Sequence, residues 1–523
     1  MSGNLNSIWR LSFVCMLFLT FSAFSADSAE KESHEFHFSH ENILGTSLDL
    51  KIRSSSLESA SKAESVILRS IERQSKIYST YDKSSELSKL QALAAGKPIP
   101  ASASLRALVE RAQAWKIKTN GSFDTRVEAI SRLWSQAEKA GQLPQQSEIN
   151  AVLEKITSSR WLVDHRNGTI FRNGDAPVTF NAIATGTIID FACREALASS
   201  PDVTGLIIDI GGDIKVAGNM EAMIGVGHPR GSAENAPPIA RVRLKNAAIT
   251  SSGDLYKGFE INGRRYSHII NPKTGRPVTL VTSATVIAPS AEDADVLATA
   301  FNVMEPEKSL ALADSLEGVA ALLFTSDGRL MVSSRWSSFT TGYGGLGNLL
   351  AMAMTNIALP QKSTGKAALL PLEVQFEINQ PDESRRYRRP YVAVWIEDSE
   401  GFSVRTLALW LQAGGSRWHP DLRRWYRDDQ ARKLVDDTNL ISTISKPTKA
   451  PGKYTVTWDG LDDGGQPVKA GTYTILIEAA REHGTYQLIR QELTLGDKPI
   501  EKKLAGNVEI NAARIIYGGN AAK

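Results

Sequence analysis

The chain has little cysteine. Only two of its 523 residues are cysteines, and these are Cys15 and Cys193. Cys15 falls in an N-terminal segment that we expect to be removed, so the mature chain would keep one cysteine and form no internal disulfide. An exported protein without disulfides is compatible with a bacterial periplasm, where the fold must rely on its hydrophobic cores.

An excess of charge of either sign is also lacking. Lys and Arg number 60 and Asp and Glu 57, so overall charge gives no support for a nucleic-acid partner. Apolar runs long enough to span a bilayer as a helix are missing as well. The run LSFVCMLFLTFSAFSA follows Arg10, is too short to span, and ends in small residues suited to signal-peptidase cleavage. We therefore predict a secretory signal over residues 1–26 rather than a buried helix, and a periplasmic protein.

The remaining chain is long enough for two or three domains. Helical and strand-like patterns alternate over 27–335, which indicates an α+β domain. A Gly-rich and then apolar stretch over 336–366 is typical of a linker or docking segment. Short β-rich runs separated by turns over 367–523 predict an all-β, Ig-like sandwich.

Three histidines recur at every third position directly after the signal. His34, His37 and His40 would alternate between faces in a strand, so a shared metal site would require a turn or helix. We expect a flexible leader at this terminus instead of a metal site.

The segment PSAEDADVLATAFNVM predicts a helix with Ser290 as its N-cap. Asp295 and Thr299 are four residues apart, so a carboxylate and a hydroxyl project from one face. Two hard oxygen donors suit Mg²⁺, although the same spacing is far more often a solvated helix face.

The segment RRYSHIINPKTGRPVT contains His268 and a turn of Asn, Pro and Gly. An imidazole can accept a proton from an alcohol near neutral pH, but a strand histidine is often satisfied by a backbone partner. The residues alone leave His268 undecided between these roles.

The order of the motifs resembles the ApbE family, the FAD-dependent FMN transferases, over Ile43 to Ser334. Nine motifs carry the resemblance: LGTSLDL, YSTYDKSSELSKL, GSFDTRV, IATGTIIDFA, GLIIDIGGDIKVAG, IGVGHPR, ITSSGDLYKGF, YSHIINPKTGRPV and ADVLATAFNVM.

The resemblance implies a two-lobed fold with FAD in the cleft and Mg²⁺ on its pyrophosphate. A Thr or Ser hydroxyl of an acceptor protein would attack the FMN-side phosphorus and expel AMP. By motif matching, Asp295, Thr299 and a backbone carbonyl near Ala182 become metal ligands, and His268 becomes a candidate base that lines the flavin cleft.

Family members contact FAD at further positions that this chain also has. The resemblance places the following residues there: Leu44, Tyr81, Ser122, Phe123, Asp124 and Ile270. Thr179 and Thr185 also match FAD-contact positions, but the family usually has Asp at the first and Lys or Glu at the second. An FAD contact is therefore missing or rebuilt.

The C-terminal part is similar to an uncharacterised periplasmic domain found fused to such transferases, and YTVTWDGLDDGGQPVKAGTYTILIEA resembles an Ig-like segment of FlgD-type proteins. Its run of Trp and Arg, which includes Trp410, Trp418 and Trp425, could be a docking face or part of the sandwich core.

Three functions stay open from the sequence. The first is FMN transfer to an exported acceptor protein, for which we expect a subunit of a membrane redox complex. The second is an FAD pyrophosphatase that gives FMN and AMP, and the third is a noncatalytic flavin-binding scaffold. Asp295, Thr299 and His268 favour the first two, whereas Thr179 and Thr185 favour the third.

Overall fold

A computed structural model gives the fold. It describes residues 33–227, 229, 238–253, 258–340, 370–379, 389–411, 420–432, 445–446, 448–463, 466–481, 485–496 and 498–518. The predicted signal lies outside these residues. Within the described part of the chain, no helix is long and apolar enough to cross a bilayer.

Ten helices fall in the described residues. They are α1 (Leu57–Tyr78), α2 (Glu86–Ala92), α3 (Ala103–Lys118), α4 (Glu128–Ala140), α5 (Gln146–Ser158), α6 (Asn181–Leu197), α7 (Ala291–Val303), α8 (Pro306–Ser315), α9 (Trp336–Phe339) and α10 (Arg423–Arg432). A 3₁₀ turn covers Thr125–Val127.

The strands of the N-terminal part are β1 (His34–Ile43), β2 (Thr46–Ser54), β3 (Pro98–Pro100), β4 (Trp161–Asp164), β5 (Thr169–Arg172), β6 (Val203–Ile210), β7 (Asp213–Val226), β8 (Ala240–Gly253), β9 (Gly258–Ile261), β10 (Arg264–Ser267), β11 (Val281–Ala288), β12 (Ala320–Thr325) and β13 (Leu330–Val332). The C-terminal strands are β14 (Leu372–Ile378), β15 (Tyr391–Glu397), β16 (Ser403–Trp410), β17 (Ser445–Lys446), β18 (Gly452–Trp458), β19 (Gly471–Ala480), β20 (Tyr486–Leu495), β21 (Ile500–Ala505) and β22 (Ile510–Tyr517).

An antiparallel sheet of eight strands organises the N-terminal domain, in the order β1-β2-β6-β7-β8-β11-β12-β13. Helices α1, α6 and α7 bury their apolar faces against one side of it. Six of the seven buried residues of α1 recur at intervals of three and four, as an amphipathic helix requires: Ala60, Ala63, Ile67, Ile71, Gln74 and Tyr78. The predicted α+β class is confirmed.

The close approach of α6 and α7 depends on one glycine. A Cβ atom on Gly186 of α6 would lie 2.2 Å from the carbonyl oxygen of Ala291 and 2.7 Å from the Cα of Glu292. The start of α7 therefore rests against bare backbone. Ser290 caps this helix, because its hydroxyl accepts a hydrogen bond from the Asp293 amide at 3.0 Å, which confirms the predicted N-cap.

The opposite face of the sheet has its own hydrophobic core. Trp336 of α9 is buried there beside Val242 and Ile249, and Thr340 forms a bridge with Val242. The first domain thus continues to Thr340, five residues beyond the predicted boundary at 335. The rest of the predicted linker, 341–366, lies outside the described residues.

A second lobe has a separate core. Helices α4 and α5 pack against the β9–β10 hairpin, and the buried apolar residues include Ile130, Trp134, Ile149, Ile261 and Ile270. The two-lobed architecture that the sequence predicted is therefore present.

The N-terminal histidines lie in strand β1, not in a flexible leader. His37 pairs with Lys51 of β2, and His34 and His40 project to the other face because successive side chains of a strand alternate. His40 contacts Glu64 of α1 at 2.8 Å. The three imidazoles therefore do not converge on a metal site.

The C-terminal domain is a β-sandwich. A four-stranded sheet, β18-β14-β22-β21, and a five-stranded sheet, β17-β16-β15-β19-β20, share one core that includes Val374 and Ile515 from the first sheet and Val394 and Ile477 from the second. This confirms the predicted all-β region, and the likeness to FlgD-type segments stays a prediction.

The aromatic residues of this domain belong to its cores. Trp410 is 1% exposed between the two sheets, and Trp425 of α10 is 2% exposed on the outer side of the five-stranded sheet. These two side chains therefore belong to the hydrophobic cores, and the alternative in which they form a docking face is wrong. Trp418 lies outside the described residues.

We expect the Gly186→Ala substitution to lower the free energy of unfolding by about 1–3 kcal/mol or more, because the added methyl group overlaps the backbone of α7. Gly227→Ala is the matched control. A Cβ at Gly227 meets nothing within 4 Å, so its effect should stay within about 0.5 kcal/mol. Urea unfolding of both variants checks this, and equal effects would contradict the role of Gly186.

Candidate active site

The carboxylate of Asp295 lies at the crossing of α6 and α7. Asp295 is 7% exposed, and its Oδ2 accepts a hydrogen bond from the Gly186 amide at 3.4 Å. The glycine that allows the two helices to touch thus also provides the donor. Thr299 follows one turn later on α7 and is half-buried, so the predicted pair does share one helix face.

The electrostatic surroundings of Asp295 disfavour its charge. Burial raises the pKa of Asp295 well above its ordinary value, and the nearby carboxylates of Asp213 and Glu292 raise it further, against the lowering effect of the Gly186 amide. A buried acid with acidic neighbours is stabilised by a cation, so the donor set fits a hard divalent ion such as Mg²⁺.

Helix α6 has a kink at Ala182. Ala182 has φ −96° and ψ 21°, well away from the helical values on either side of it. Gly186, four residues later, donates its amide to Asp295. In the described residues no three His, Cys, Asp or Glu side chains converge on a metal position. A site here would combine one carboxylate, a hydroxyl and a carbonyl with water and substrate oxygens.

Polar side chains from three elements hold the start of α7 in place. Both carboxylate oxygens of Asp190 on α6 accept hydrogen bonds, from the Ala291 and Glu292 amides, each at 3.0 Å. Glu292 in turn accepts a hydrogen bond from Thr187 of α6 at 2.6 Å and pairs with Arg111 of α3 at 2.8 Å. These contacts fix the rotation of α7 and therefore the direction of Asp295.

Tyr81 is near the kinked start of α6. Its ring is 82% exposed, and its hydroxyl accepts a hydrogen bond from the side-chain amide of Asn181 at 2.8 Å. The Asn181 backbone amide donates to the Thr179 hydroxyl at 3.3 Å. Hydrogen bonds from Asn181 therefore link it to both Tyr81 and Thr179, and no sequence motif had singled out Asn181.

The two residues that depart from the family pattern flank this kink. Thr179 precedes α6 and donates its backbone amide to the Thr125 carbonyl at 2.8 Å, while Thr185 lies one turn into the helix. Both are half-buried. Neither side chain carries the charge that the family usually has here.

The turn of Ser122, Phe123 and Asp124 is buried and strongly hydrogen-bonded. Asp124 pairs with Arg126 at 2.6 Å and with Lys116 at 3.0 Å. All three turn residues are less than 9% exposed. The Asp124 carboxylate is thus already paired with two cations. An FAD molecule bound here would therefore contact the backbone of the turn or the outer edge of these ion pairs.

His268 and Ile270 lie where β10 leads into the next turn. His268 is half-buried, and Ile270 belongs to the core of the small lobe and forms a bridge with Pro277. The turn closes because the Asn271 amide donates to the Arg276 carbonyl and the Gly275 amide donates to the Asn271 carbonyl, each at 2.9 Å. The Trp134 indole donates to the Gly275 carbonyl at 2.8 Å. The small lobe therefore sets the position of this segment.

Leu44 occupies an unusual backbone conformation. It forms the two-residue turn between β1 and β2 with Gly45, and both residues have positive φ, 51° and 82°. A turn of this kind favours Asn-Gly, as in Asn262–Gly263 between β9 and β10. This conformation destabilises the folded state by about 1 kcal/mol or more when the residue is leucine. Because backbone strain is concentrated at functional sites, it suggests a function for the Leu44 side chain.

A cavity of about 550 Å³ opens between α3, α5 and β4. Its lining includes Asp124 and Phe180, and also Lys273 from the turn after Ile270. Among the predicted site residues, only Asp124 lines it. We call the predicted residues on or beside α6 and α7 the metal-side group: Asp295, Thr299, Ala182 and Tyr81. The turn of Ser122, Phe123 and Asp124 lies beside the cavity instead. Residues 254–257 of one quoted motif and residues 228 and 230 of another lie outside the described part.

The fold and site together define a two-lobed α+β protein with a buried, single-carboxylate position suited to a hard cation. Comparison with known proteins is consistent with this class. The profile of the ApbE family matches residues 44–323, and that of a family described as predicted periplasmic protein (DUF2271) matches residues 371–512.

Curated relatives match the N-terminal domain. The FAD:protein FMN transferase of Treponema pallidum is 29% identical over 50% of this chain and 77% of its own length. That of Vibrio cholerae is 30% identical over 54% of this chain and 86% of its own length. The crystal structure of the ApbE protein from Thermotoga maritima superposes with a TM-score of 0.52 at 27% identity, covering 60% of this chain and all of that one.

The chain belongs to the ApbE family. Its match covers more than half of the sequence, and the resemblance inferred from the nine motifs is confirmed. The roles of individual site residues stay predictions.

We expect Leu44→Asn to raise the free energy of unfolding by about 1 kcal/mol, because asparagine tolerates positive φ better than leucine. The same change should weaken FAD binding if the leucine side chain contacts the flavin. Unfolding in urea and titration with FAD measure the two effects.

Asn262→Leu in the matched turn is the control. It should destabilise the protein by a similar amount and leave FAD affinity unchanged. A Leu44→Asn variant that is stabilised but binds FAD normally would remove Leu44 from the flavin site.

Proposed function

We propose that this protein is a Mg²⁺-dependent FMN transferase that moves the FMN group of FAD to a Thr or Ser hydroxyl of an exported redox protein. The observation that carries this proposal is the buried Asp295 at the crossing of α6 and α7, in the part of the chain that matches the ApbE family. The names of the curated relatives support the same activity.

In the proposed reaction, the acceptor oxygen forms a bond to the FMN-side phosphorus of FAD. The bond from that phosphorus to the bridging oxygen breaks, and AMP leaves with the electron pair. Mg²⁺, held by Asp295, Thr299 and the Ala182 carbonyl, would neutralise the charge of the pyrophosphate. Positioning and charge neutralisation provide most of the catalysis in such transfers.

His268 is the candidate that takes the proton of the acceptor hydroxyl. It lies on the segment that the small lobe holds in place, whereas the metal residues lie on helices of the large lobe. A base on one lobe and a phosphate-binding group on the other would face each other across a bound FAD.

The proposed location is the periplasm, and the acceptor would be a subunit of a membrane redox complex. The description of the C-terminal family as a periplasmic protein supports that compartment. The Ig-like domain would position the acceptor.

Asp295→Asn tests the metal site directly. We expect at least about a 100-fold loss of FMN transfer, because the only buried carboxylate predicted to bind the cation becomes neutral. The assay is mass spectrometry of a Thr-containing peptide incubated with FAD and Mg²⁺, and Mg²⁺ binding is measured separately by calorimetry. Asp293→Asn, two residues away on another face of α7, should transfer normally.

The same assay separates the alternatives. Free FMN and AMP without labelled peptide would favour the pyrophosphatase. Intact FAD that stays bound would favour a scaffold, for which the neutral residues Thr179 and Thr185 are the specific observation.

His268→Ala should reduce transfer by about 10²–10⁴-fold, the usual contribution of a general base. Added imidazole should restore part of the rate, and FAD affinity should change little. His165→Ala is the control, because His165 is 65% exposed and pairs with Glu110. Full activity of His268→Ala without imidazole would exclude His268 as the base.

A further inference from the structure

We propose that the cavity between α3, α5 and β4 binds an acidic and apolar segment of the acceptor protein. This inference rests on the proposed transferase function. The site is distinct from the metal-side group, because Asp295, Thr299, Ala182 and Tyr81 do not line the cavity.

The charge of the cavity points to an acidic ligand. Its lining contains four cations and one carboxylate. Lys116 and Arg126 are both engaged by Asp124. The side chains of Arg160 and Lys273 form no ion pair with another described residue, and both are exposed. Two positive charges are therefore available at the mouth of the cavity.

The walls of the cavity are apolar. Ile156, Trp161 and Phe180 are buried along its interior. A volume of about 550 Å³ lies within the usual range of ligand pockets and would accommodate a few side chains. A ligand that fits must therefore combine apolar groups with negative charge.

Exposed apolar side chains at the rim favour a protein segment over a small molecule. Ile117 is 80% exposed and Leu162 is 53% exposed, and both line the cavity. Apolar surface that extends beyond the cavity is buried by a ligand larger than the cavity itself. A segment of a partner chain meets this condition.

The cavity shares its loops with the predicted flavin site. Phe180 lies two residues before Ala182, and Lys273 lies three residues after Ile270. Thr179 also donates its backbone amide to the Thr125 carbonyl at 2.8 Å, and Thr125 lines the cavity. A segment bound here would therefore bring a neighbouring hydroxyl towards the proposed reaction centre.

The test uses two fluorescent decapeptides with one central Thr and two Leu residues, one with two Asp and the other with two Lys. Binding to the mature protein with FAD and Mg²⁺ is measured by fluorescence anisotropy. We expect the Asp peptide to bind about tenfold more tightly, since two charge pairs near the surface together contribute on the order of 1.4 kcal/mol. This preference should shrink at high salt.

Charge reversal at Arg160 and Lys273 provides the decisive comparison. The double variant Arg160→Glu, Lys273→Glu should prefer the Lys peptide, and its affinity for FAD should stay within about threefold of the wild-type value. Arg166→Glu, an exposed change that does not line the cavity, should keep the wild-type preference.

Equal binding of both peptides by the wild type, or no reversal in the double variant, would overturn the proposal. A loss of FAD affinity in the double variant would also overturn it, because the cavity would then belong to the flavin site. Wild-type protein that prefers the Asp peptide but transfers no FMN would support the peptide site and refute the transferase instead.

Discussion

The contact between α6 and α7 at Gly186 is the constraint on which the proposed site depends. It requires a residue without a side chain, because the backbone of Ala291 occupies the space of a Cβ atom. The same glycine donates its amide to Asp295. Gly186 thus determines both the packing of α6 against α7 and the hydrogen bond that orients Asp295. A substitution at this position would disturb both.

This contact concentrates acidic groups in a buried region. Glu292 is compensated by Arg111 and by the Thr187 hydroxyl. Asp295 has the Gly186 amide at 3.4 Å, while burial and Asp213 disfavour its charge. A folded protein tolerates such a group when the site is completed by a ligand, since a buried charge without a partner is costly. The imbalance at Asp295 is the physical reason for proposing a cation there.

Much of the fold could be predicted from periodicity, and part of the site could not. The capping residue Ser290 marked the start of α7, and the i, i+4 spacing placed Asp295 and Thr299 on one face. The role of Asn181 depends on contact with Tyr81, 100 residues away, and no local pattern reports such a contact. The N-terminal strand was missed because its pairing with β2 outweighs the polar composition that favoured a leader.

The candidate residues are divided between two lobes with separate cores, and this division bears on the mechanism. Asp295 and Ala182 lie on helices of the large lobe, whereas the His268 segment is fixed by Trp134 and Ile270 of the small lobe. The loop after Asp124 connects them, since Thr125 accepts a hydrogen bond from Thr179. A substrate that spans both groups would stabilise one relative position of the lobes. Binding and positioning would then be the same event, as expected for a reaction that depends mainly on the alignment of donor, acceptor and phosphate.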